Sequence, residues 1–137
     1  MKGLNRDEIW QLFERVFPPA VAFGFVIDTV SPHRAQISLE ISERHLRPGG
    51  TVMGPTLMTM VDTAMYVALL ATDETTLQAV TSNLNVHFLR RPSGRRLTAT
   101  CEVEKLGKRQ ATGVVRLTVD DDPSAVAVAT VAYSYQK

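Results

Sequence analysis

The sequence has few of the residues by which enzyme sites are most often recognised. Its 137 residues include one cysteine, Cys101, and three scattered histidines, His33, His45 and His87. A single cysteine cannot form an intrachain disulfide, which favours a reducing, cytoplasmic location. The histidines lack the spacing of metal ligands, and no motif of a nucleotide-binding loop, a serine-hydrolase elbow or a zinc protease is present. We therefore expect no metal site.

An excess of charge of one sign is also lacking. The formal net charge is +1, so we expect no nucleic-acid partner, although local basic patches remain possible. No signal peptide is apparent, and Asp62 interrupts the best candidate for a membrane span, residues 55–71. We therefore expect no membrane segment. The length and an ordinary balance of apolar and charged residues predict one globular domain, residues 1–137.

The hydrophobic pattern predicts an α+β fold. Asn5 and Glu8 form a capping-box-like pair at the start of a short helix, which Pro18 and Pro19 end. Cys101 is in phase with inward apolar positions of a strand, so we expect a core residue rather than a nucleophile. Four late strands at hairpin spacing indicate a mostly antiparallel sheet. A long helix is predicted at residues 55–71, and strands at residues 22–29, 34–41, 77–90, 96–105, 110–119 and 125–135.

Asp62 is the only charged residue in the long apolar helix. An isolated carboxylate in such a setting is costly unless it is paired or protonated, so it is a candidate catalytic base or nucleophile. The alternative, given equal weight, is a narrow solvated stripe that Asp62 shares with Thr59, Thr63 and Tyr66. One sheet covers only one side of a helix that is apolar almost all round. A second copy of the chain would cover the rest, which predicts a homodimer.

Gly54 lies just before this helix, where its N–H is one of the donors left without an intrahelical partner. Such a donor, supported by the helix dipole, can hold a carbonyl oxygen that becomes negative. Gly54 and Asp62 are about 12 Å apart along one helix, so one substrate carbonyl reaches both only if two chains contribute. The alternative is that Gly54 is a simple turn glycine.

Two segments, RPGGTVMGPTLMTMVDTAMYVALLA and AVTSNLNVHFLRRPSG, resemble the hotdog-fold acyl-CoA thioesterases of the PaaI/YbgC-like group. The resemblance implies a curved antiparallel β-sheet wrapped around one long central α-helix. It also implies a homodimer, assembling further to a homotetramer, with active sites at the interface. The implied reaction is hydrolysis of acyl-CoA to a free acid and CoA, which needs no cofactor because thioesters are already activated.

Three family positions carry over to this chain. Asp62 falls on the catalytic acid, which acts as general base or nucleophile, and Gly54 on the glycine that polarises the thioester carbonyl. Thr81 falls on a Ser/Thr position associated with the attacking water or with the acid. Strand parity, however, puts Ser82 rather than Thr81 on the apolar face, so either a bulge re-aims Thr81 or Ser82 takes its role.

The family's asparagine, histidine and second glycine are replaced by Arg47, Met53 and Pro55. Arg47 retains donors for a carbonyl, and Pro55 removes one backbone donor. The losses favour, as the alternative function, a non-catalytic acyl-CoA binding or sensing module. A hydratase or dehydratase fits less well, because no Asp/His pair lies at helix spacing.

A basic cluster follows the strand that carries Thr81. Coenzyme A carries several phosphate charges, so arginine and lysine are expected at the entrance to its site. The alternative is that these side chains only solvate strand ends. The candidate substrate-binding residues are Arg90, Arg91, Arg95, Arg96 and, with less weight, Lys108.

Overall fold

Six antiparallel strands in the order β1-β2-β4-β5-β6-β3 wrap one long helix, in a computed structural model that describes residues 2–136. The long helix, α3, contacts all six strands, which confirms the predicted α+β architecture. The elements are α1 Arg6–Val16, α2 Pro18–Phe23, β1 Phe25–Ser31, β2 Arg34–Glu40, α3 Gly54–Thr72, β3 Val80–Phe88, β4 Arg96–Leu106, β5 Gln110–Val119 and β6 Ala127–Ser134, with short 3₁₀ helices at Glu43–His45 and Glu74–Gln78.

The inner face of the sheet packs against α3. Alternate residues of β4 and β5 are buried, as expected for strands with one face in the core. Cys101 is fully buried there, with its sulfur 3.7 Å from that of Met65 on α3. Opposite them, Gly113 has no room for a side chain, because a Cβ would lie 2.6 Å from the Met65 sulfur. The prediction of Cys101 as a core residue is confirmed.

The segment after α1 was predicted wrongly. The capping box of Asn5 and Glu8 is confirmed, but Pro18 and Pro19 do more than end α1. They begin α2, because proline suits the first turn of a helix, where no N–H partner is needed. α2 ends at Gly24, which has a φ of 95° and caps the helix in the left-handed conformation. The strand predicted from residue 22 therefore starts three residues later, at Phe25.

Five predicted boundaries of the late strands differ from those in the structure. Glu74–Gln78 forms a 3₁₀ helix capped by the Asp73 side chain, so β3 begins at Val80 rather than at residue 77. β3 also ends two residues earlier than predicted, β4 ends one residue later, and β6 is shorter at both ends, whereas β5 matches its predicted range. These shifts leave every predicted late strand in place.

α3 is mostly a core helix. It is long and apolar enough to cross a membrane, with a mean hydropathy of 1.2, but 61% of that stretch is buried inside the fold. Its N-terminal half is less covered, and Met58 is 43% exposed. Nearby β3 lies at one edge of the sheet, where Phe88 and the following Leu89 are exposed. One chain therefore leaves part of this helix and one strand edge uncovered.

Candidate active site

Asp62 projects from the middle of α3 and is partly buried. Its Oδ1 accepts a hydrogen bond of 2.5 Å from the Thr81 hydroxyl and lies 2.8 Å from the Tyr133 hydroxyl, which also approaches the Asp62 carbonyl oxygen at 3.0 Å. Thr81 and Tyr133 are directly paired across β3 and β6. The carboxylate that looked isolated in the sequence is thus held by two hydroxyl donors, which offset the cost of its partial burial.

A β-bulge brings Thr81 to Asp62. The pairing of β3 with β6 shifts register between Thr81 and Asn83, so Ser82 is the extra residue. Beyond the bulge, Leu84 resumes alternation on the inner face, and Thr81 shares that face with it. The Ser82 hydroxyl instead donates to the Ala132 carbonyl at 3.3 Å. Of the two alternatives drawn from strand parity, the structure has the bulge.

Tyr133 was not among the predicted site residues. It is 4% exposed, and burial raises the pKa of its hydroxyl, with the negative charge of Asp62 adding to the effect. The group therefore remains a protonated donor. A signal was present in the sequence: Tyr133 follows Ala129 and Val131 at intervals of two, so it shares their inward face. A hydroxyl on the face that packs against Asp62 is the feature that sequence reasoning missed.

A cavity of about 790 Å³ opens beside Asp62. Its lining is largely apolar and aromatic, and α1 and α2 supply one wall with Phe13, Phe17 and Phe23. Tyr66 stacks between Phe13 and Tyr133, with ring centroids 5.6 and 5.9 Å away. The other wall includes the stripe predicted from the helix, namely Thr59, Asp62, Thr63 and Tyr66. Asp62 was predicted either as a catalytic residue or as part of a solvated polar stripe. In the structure the two alternatives are compatible, because the polar stripe lines the cavity.

Gly54 begins α3 with an unused donor. Pro55 has no N–H, and the N–H groups of Thr56 and Leu57 point to the Met53 carbonyl at 3.1 and 3.4 Å. The Gly54 N–H alone in this first turn has no acceptor among residues 2–136. At a helix N-terminus such a donor is suited to an oxygen that carries negative charge.

Gly54 lines a second cavity, of about 560 Å³, together with Arg47, Arg90 and Arg91. No residue lines both this cavity and the one beside Asp62. Gly54 and Asp62 are about 12 Å apart along α3, from the rise per residue of a helix. Within one chain, the Gly54 N–H and the Asp62 carboxylate therefore belong to different cavities.

The predicted substrate-binding residues separate into two groups. Arg91 lines the cavity at Gly54, and Arg90 does so while its Nε donates to the Ala125 carbonyl at 3.2 Å. Arg96 instead reaches Asp28 at 2.9 Å and Ser38 at 2.6 Å. Among the residues that line neither of the two cavities are Arg95, Arg96 and Lys108, the last of which lies in the turn between β4 and β5.

An antiparallel sheet wrapped around one long helix is the architecture of the hotdog-fold thioester hydrolases. The family model of the thioesterase superfamily matches residues 49–126. The chain belongs to this superfamily and is similar to its PaaI proteins, as the sequence resemblance indicated.

Solved structures agree with this assignment. A provisionally assigned thioesterase from Silicibacter sp. TM1040 is 34% identical, with a TM-score of 0.88 over 98% of this chain and 93% of that one. The E. coli PaaI protein from the phenylacetic acid degradation operon is 22% identical, with a TM-score of 0.82 over 98% and 97%. Zebrafish thioesterase superfamily member 2 is 20% identical, with a TM-score of 0.83 over 96% and 99%. The last two show the shared fold. A comparison with curated proteins found no significant match.

Proposed function

We propose that this thioester hydrolase cleaves acyl-CoA to a free carboxylic acid and CoA. One observation carries the proposal: the Asp62 carboxylate, held by the Thr81 and Tyr133 hydroxyls, lines a cavity of about 790 Å³. A cavity of this size and largely apolar lining is typical of sites for small organic groups. A positioned carboxylate at its wall is suited to activate water.

The complete site is shared between two chains of a homodimer. The 12 Å between Gly54 and Asp62 along α3 prevents one chain from offering both groups to a single carbonyl. The exposed side chains of Met58, Phe88 and Leu89, together with the free edge of β3, support an interface beside the Gly54 cavity. In an antiparallel pair of α3 helices, the Gly54 end of one helix lies near Asp62 of the other. Assembly to a homotetramer is a further part of this proposal.

The reaction follows from these groups. The oxygen of a water molecule forms a bond to the thioester carbonyl carbon while Asp62 accepts its proton. The carbonyl π electrons move to the oxygen, where the Gly54 N–H, assisted by Arg47, stabilises the negative charge. When the tetrahedral intermediate collapses, the C–S bond breaks and the sulfur takes the proton from Asp62. Direct attack of Asp62 on the carbonyl carbon, followed by hydrolysis of the anhydride, is the alternative course.

The nucleotide end of CoA is assigned to the cavity at Gly54. Arg47 is assigned to the carbonyl, and Arg90 and Arg91, which line the same cavity, are assigned to the phosphates of CoA. Guanidinium groups bind phosphate oxygens in a bidentate manner, which suits them to CoA. A cytoplasmic location, predicted from the single cysteine, belongs to the same proposal.

A second candidate function is an acyl-CoA sensor that binds without turnover. Met53 supports it, because this residue caps α3 without a side-chain hydrogen bond and takes the place of a polar residue of the family. A sensor would bind CoA esters tightly and release no thiol.

The test is to measure turnover of a panel of CoA thioesters by monitoring the release of free thiol. Asp62→Asn keeps the shape of the side chain and removes the base, so we expect kcat to fall by about two or more orders of magnitude. Asp121→Asn, the same change in the exposed turn after β5, is the control and should match the wild type. Near wild-type turnover in folded Asp62→Asn protein would contradict the role of Asp62. Tight binding of several esters with no thiol release by the wild type would favour the sensor.

A further inference from the structure

The two carboxylate oxygens of Asp62 have different surroundings. Both hydroxyl donors, from Thr81 and Tyr133, reach Oδ1, and Oδ2 has no hydrogen-bond donor among residues 2–136. Oδ2 is also absent from the buried unpaired side-chain atoms of the described chain, which belong to Asp28 and His45, so it is open to solvent. We propose that Oδ2 is the reacting oxygen of Asp62 and that Tyr133 is a positioning residue that selects it. The inference rests on the proposed function.

Oδ1 is the carboxylate oxygen that both donors reach. It has two lone pairs, one facing the Thr81 hydroxyl and one facing the Tyr133 hydroxyl, whose single proton is shared between Oδ1 at 2.8 Å and the Asp62 carbonyl oxygen at 3.0 Å. Oδ1 therefore accepts a proton from water only if it loses one of these bonds, whereas both lone pairs of Oδ2 are free. Because the two donors are cross-strand partners on β3 and β6, they approach from the same side. They fix the rotation of the carboxylate and leave Oδ2 to face the cavity.

Tyr133 is the better anchored of the two donors. It is buried near the end of β6, an interior strand of the sheet, whereas Thr81 is exposed on the edge strand β3. Its ring stacks on Tyr66 at 5.9 Å and an interplanar angle of 15°, and Tyr66 in turn stacks on Phe13 of α1. A side chain held on both its ring and its hydroxyl keeps the carboxylate in one orientation, which preorganises the reacting oxygen.

The same geometry explains why Asp62→Asn is expected to be inactive although it retains one oxygen. Thr81 and Tyr133 donate, so they select the amide oxygen for the Oδ1 position. The amide nitrogen then occupies the position of Oδ2, where it has no lone pair to accept a proton. The remaining oxygen is thus on the wrong side of the side chain.

The direct test is Tyr133→Phe, which removes the hydroxyl and keeps the ring. Loss of a hydrogen bond to a charged group should lower kcat about 10- to 100-fold, with KM changed less than about twofold. Tyr135→Phe is the matched control. It removes a hydroxyl two residues away that donates to the Gly107 carbonyl and lines neither cavity, so its kcat should stay at the wild-type value. Equal kcat for Tyr133→Phe and the wild type would overturn the proposal.

A double-mutant cycle separates positioning from a structural role. If Tyr133 acts through Asp62, adding Tyr133→Phe to Asp62→Asn should cause no further loss in the residual kcat. Multiplication of the two separate losses would mean that Tyr133 acts independently, and the proposal fails. If Asp62→Asn itself turns over normally, the proposed function fails first.

A second variant keeps the proposal testable if Tyr133→Phe does not fold. Thr81→Val removes the other donor to Oδ1 at an exposed edge position. We expect a loss in kcat of the same order, about 10-fold or more, with KM retained. An unchanged kcat in folded Thr81→Val would show that occupation of Oδ1 does not select the reacting oxygen.

Discussion

A site divided between two chains makes a quantitative prediction for mixed dimers. One chain would carry Gly54→Val, and the other Asp62→Asn. The nearest atom to a Cβ at position 54 is the Phe88 ring at 3.8 Å, an ordinary contact, so the first variant should fold. Its larger side chain nevertheless occupies the cavity beside the Gly54 N–H. Each variant alone should be inactive, because every site of its homodimer contains one damaged half.

Mixing should restore a defined fraction of the activity. Random exchange of equal amounts gives about half heterodimers, and each of these has one intact site and one doubly damaged site. The expected thiol release is therefore about a quarter of the wild-type value per total chain. A chain carrying both changes, mixed with an equal amount of wild type, should likewise leave about a quarter, since its heterodimers have no intact site.

A site within one chain gives different numbers in both mixtures. The two single variants would then show no recovery, and the double variant would dilute the wild type only to about one half. Subunit exchange must be demonstrated first, for example by the transfer of a fluorescent label between dimers. Zero recovery with proven exchange would refute the shared site.

Three further outcomes are expected. Arg91→Ala should raise KM for acyl-CoA and largely spare kcat, and it should scarcely change the hydrolysis of a thioester that lacks the nucleotide. Arg116→Ala, at an exposed position, is the control and should change neither KM nor kcat. Equal losses on both substrates would mean that Arg91 supports the fold. Burial raises the pKa of Cys101 to about 12. At about pH 8 the thiol of the folded protein should therefore resist alkylation, whereas the same thiol should be alkylated in urea. Rapid alkylation of Cys101 in the folded protein would contradict this prediction. Burial, and then the charge of Arg44, lowers the pKa of His45 from 6.5. The unfolded state therefore binds the proton more readily than the folded state, so the Tm should fall as the pH drops below about 6.5. His45→Asn should reduce this fall in Tm.

Most of the fold could be predicted from the periodicity of hydrophobic residues along the sequence. Strands with one buried face, such as β5, alternate so regularly that even the bounds Gln110–Val119 were predicted. α2 was missed because its residues, Pro18–Phe23, are too few to show a helical period. Proline was taken as the end of one helix, although it fits the start of the next equally well. This error mattered for function, since α2 forms part of the cavity wall beside Asp62.

Residues of the candidate site could be predicted from the sequence only where they differ in character from the residues around them. Asp62 became a candidate because it interrupts an apolar helix, and Gly54 because it precedes one. Tyr133 had no such contrast, since a tyrosine at an inward strand position is ordinary, and its partner lies 71 residues away in sequence. The bulge at Ser82 was one of two alternatives from strand parity, and only the ladder between β3 and β6 decides it. Contacts between distant segments depend on register, which no local pattern specifies.

The arrangement on α3 connects catalysis with assembly. One rigid helix carries the Gly54 N–H, the proposed carbonyl-binding donor, at its N-terminus and the Asp62 carboxylate two turns later, so their separation within a chain is constant. No movement of a loop brings Gly54 and Asp62 of the same chain together. A two-fold axis solves the problem, because antiparallel helices place each donor beside the opposite carboxylate and create two equal sites at once. In the proposed enzyme the exposed face of α3 and the edge of β3 therefore contribute to the reaction as well as to stability. A chain without its partner would have an acyl cavity, a base and an oxyanion donor, but one substrate could not contact all three.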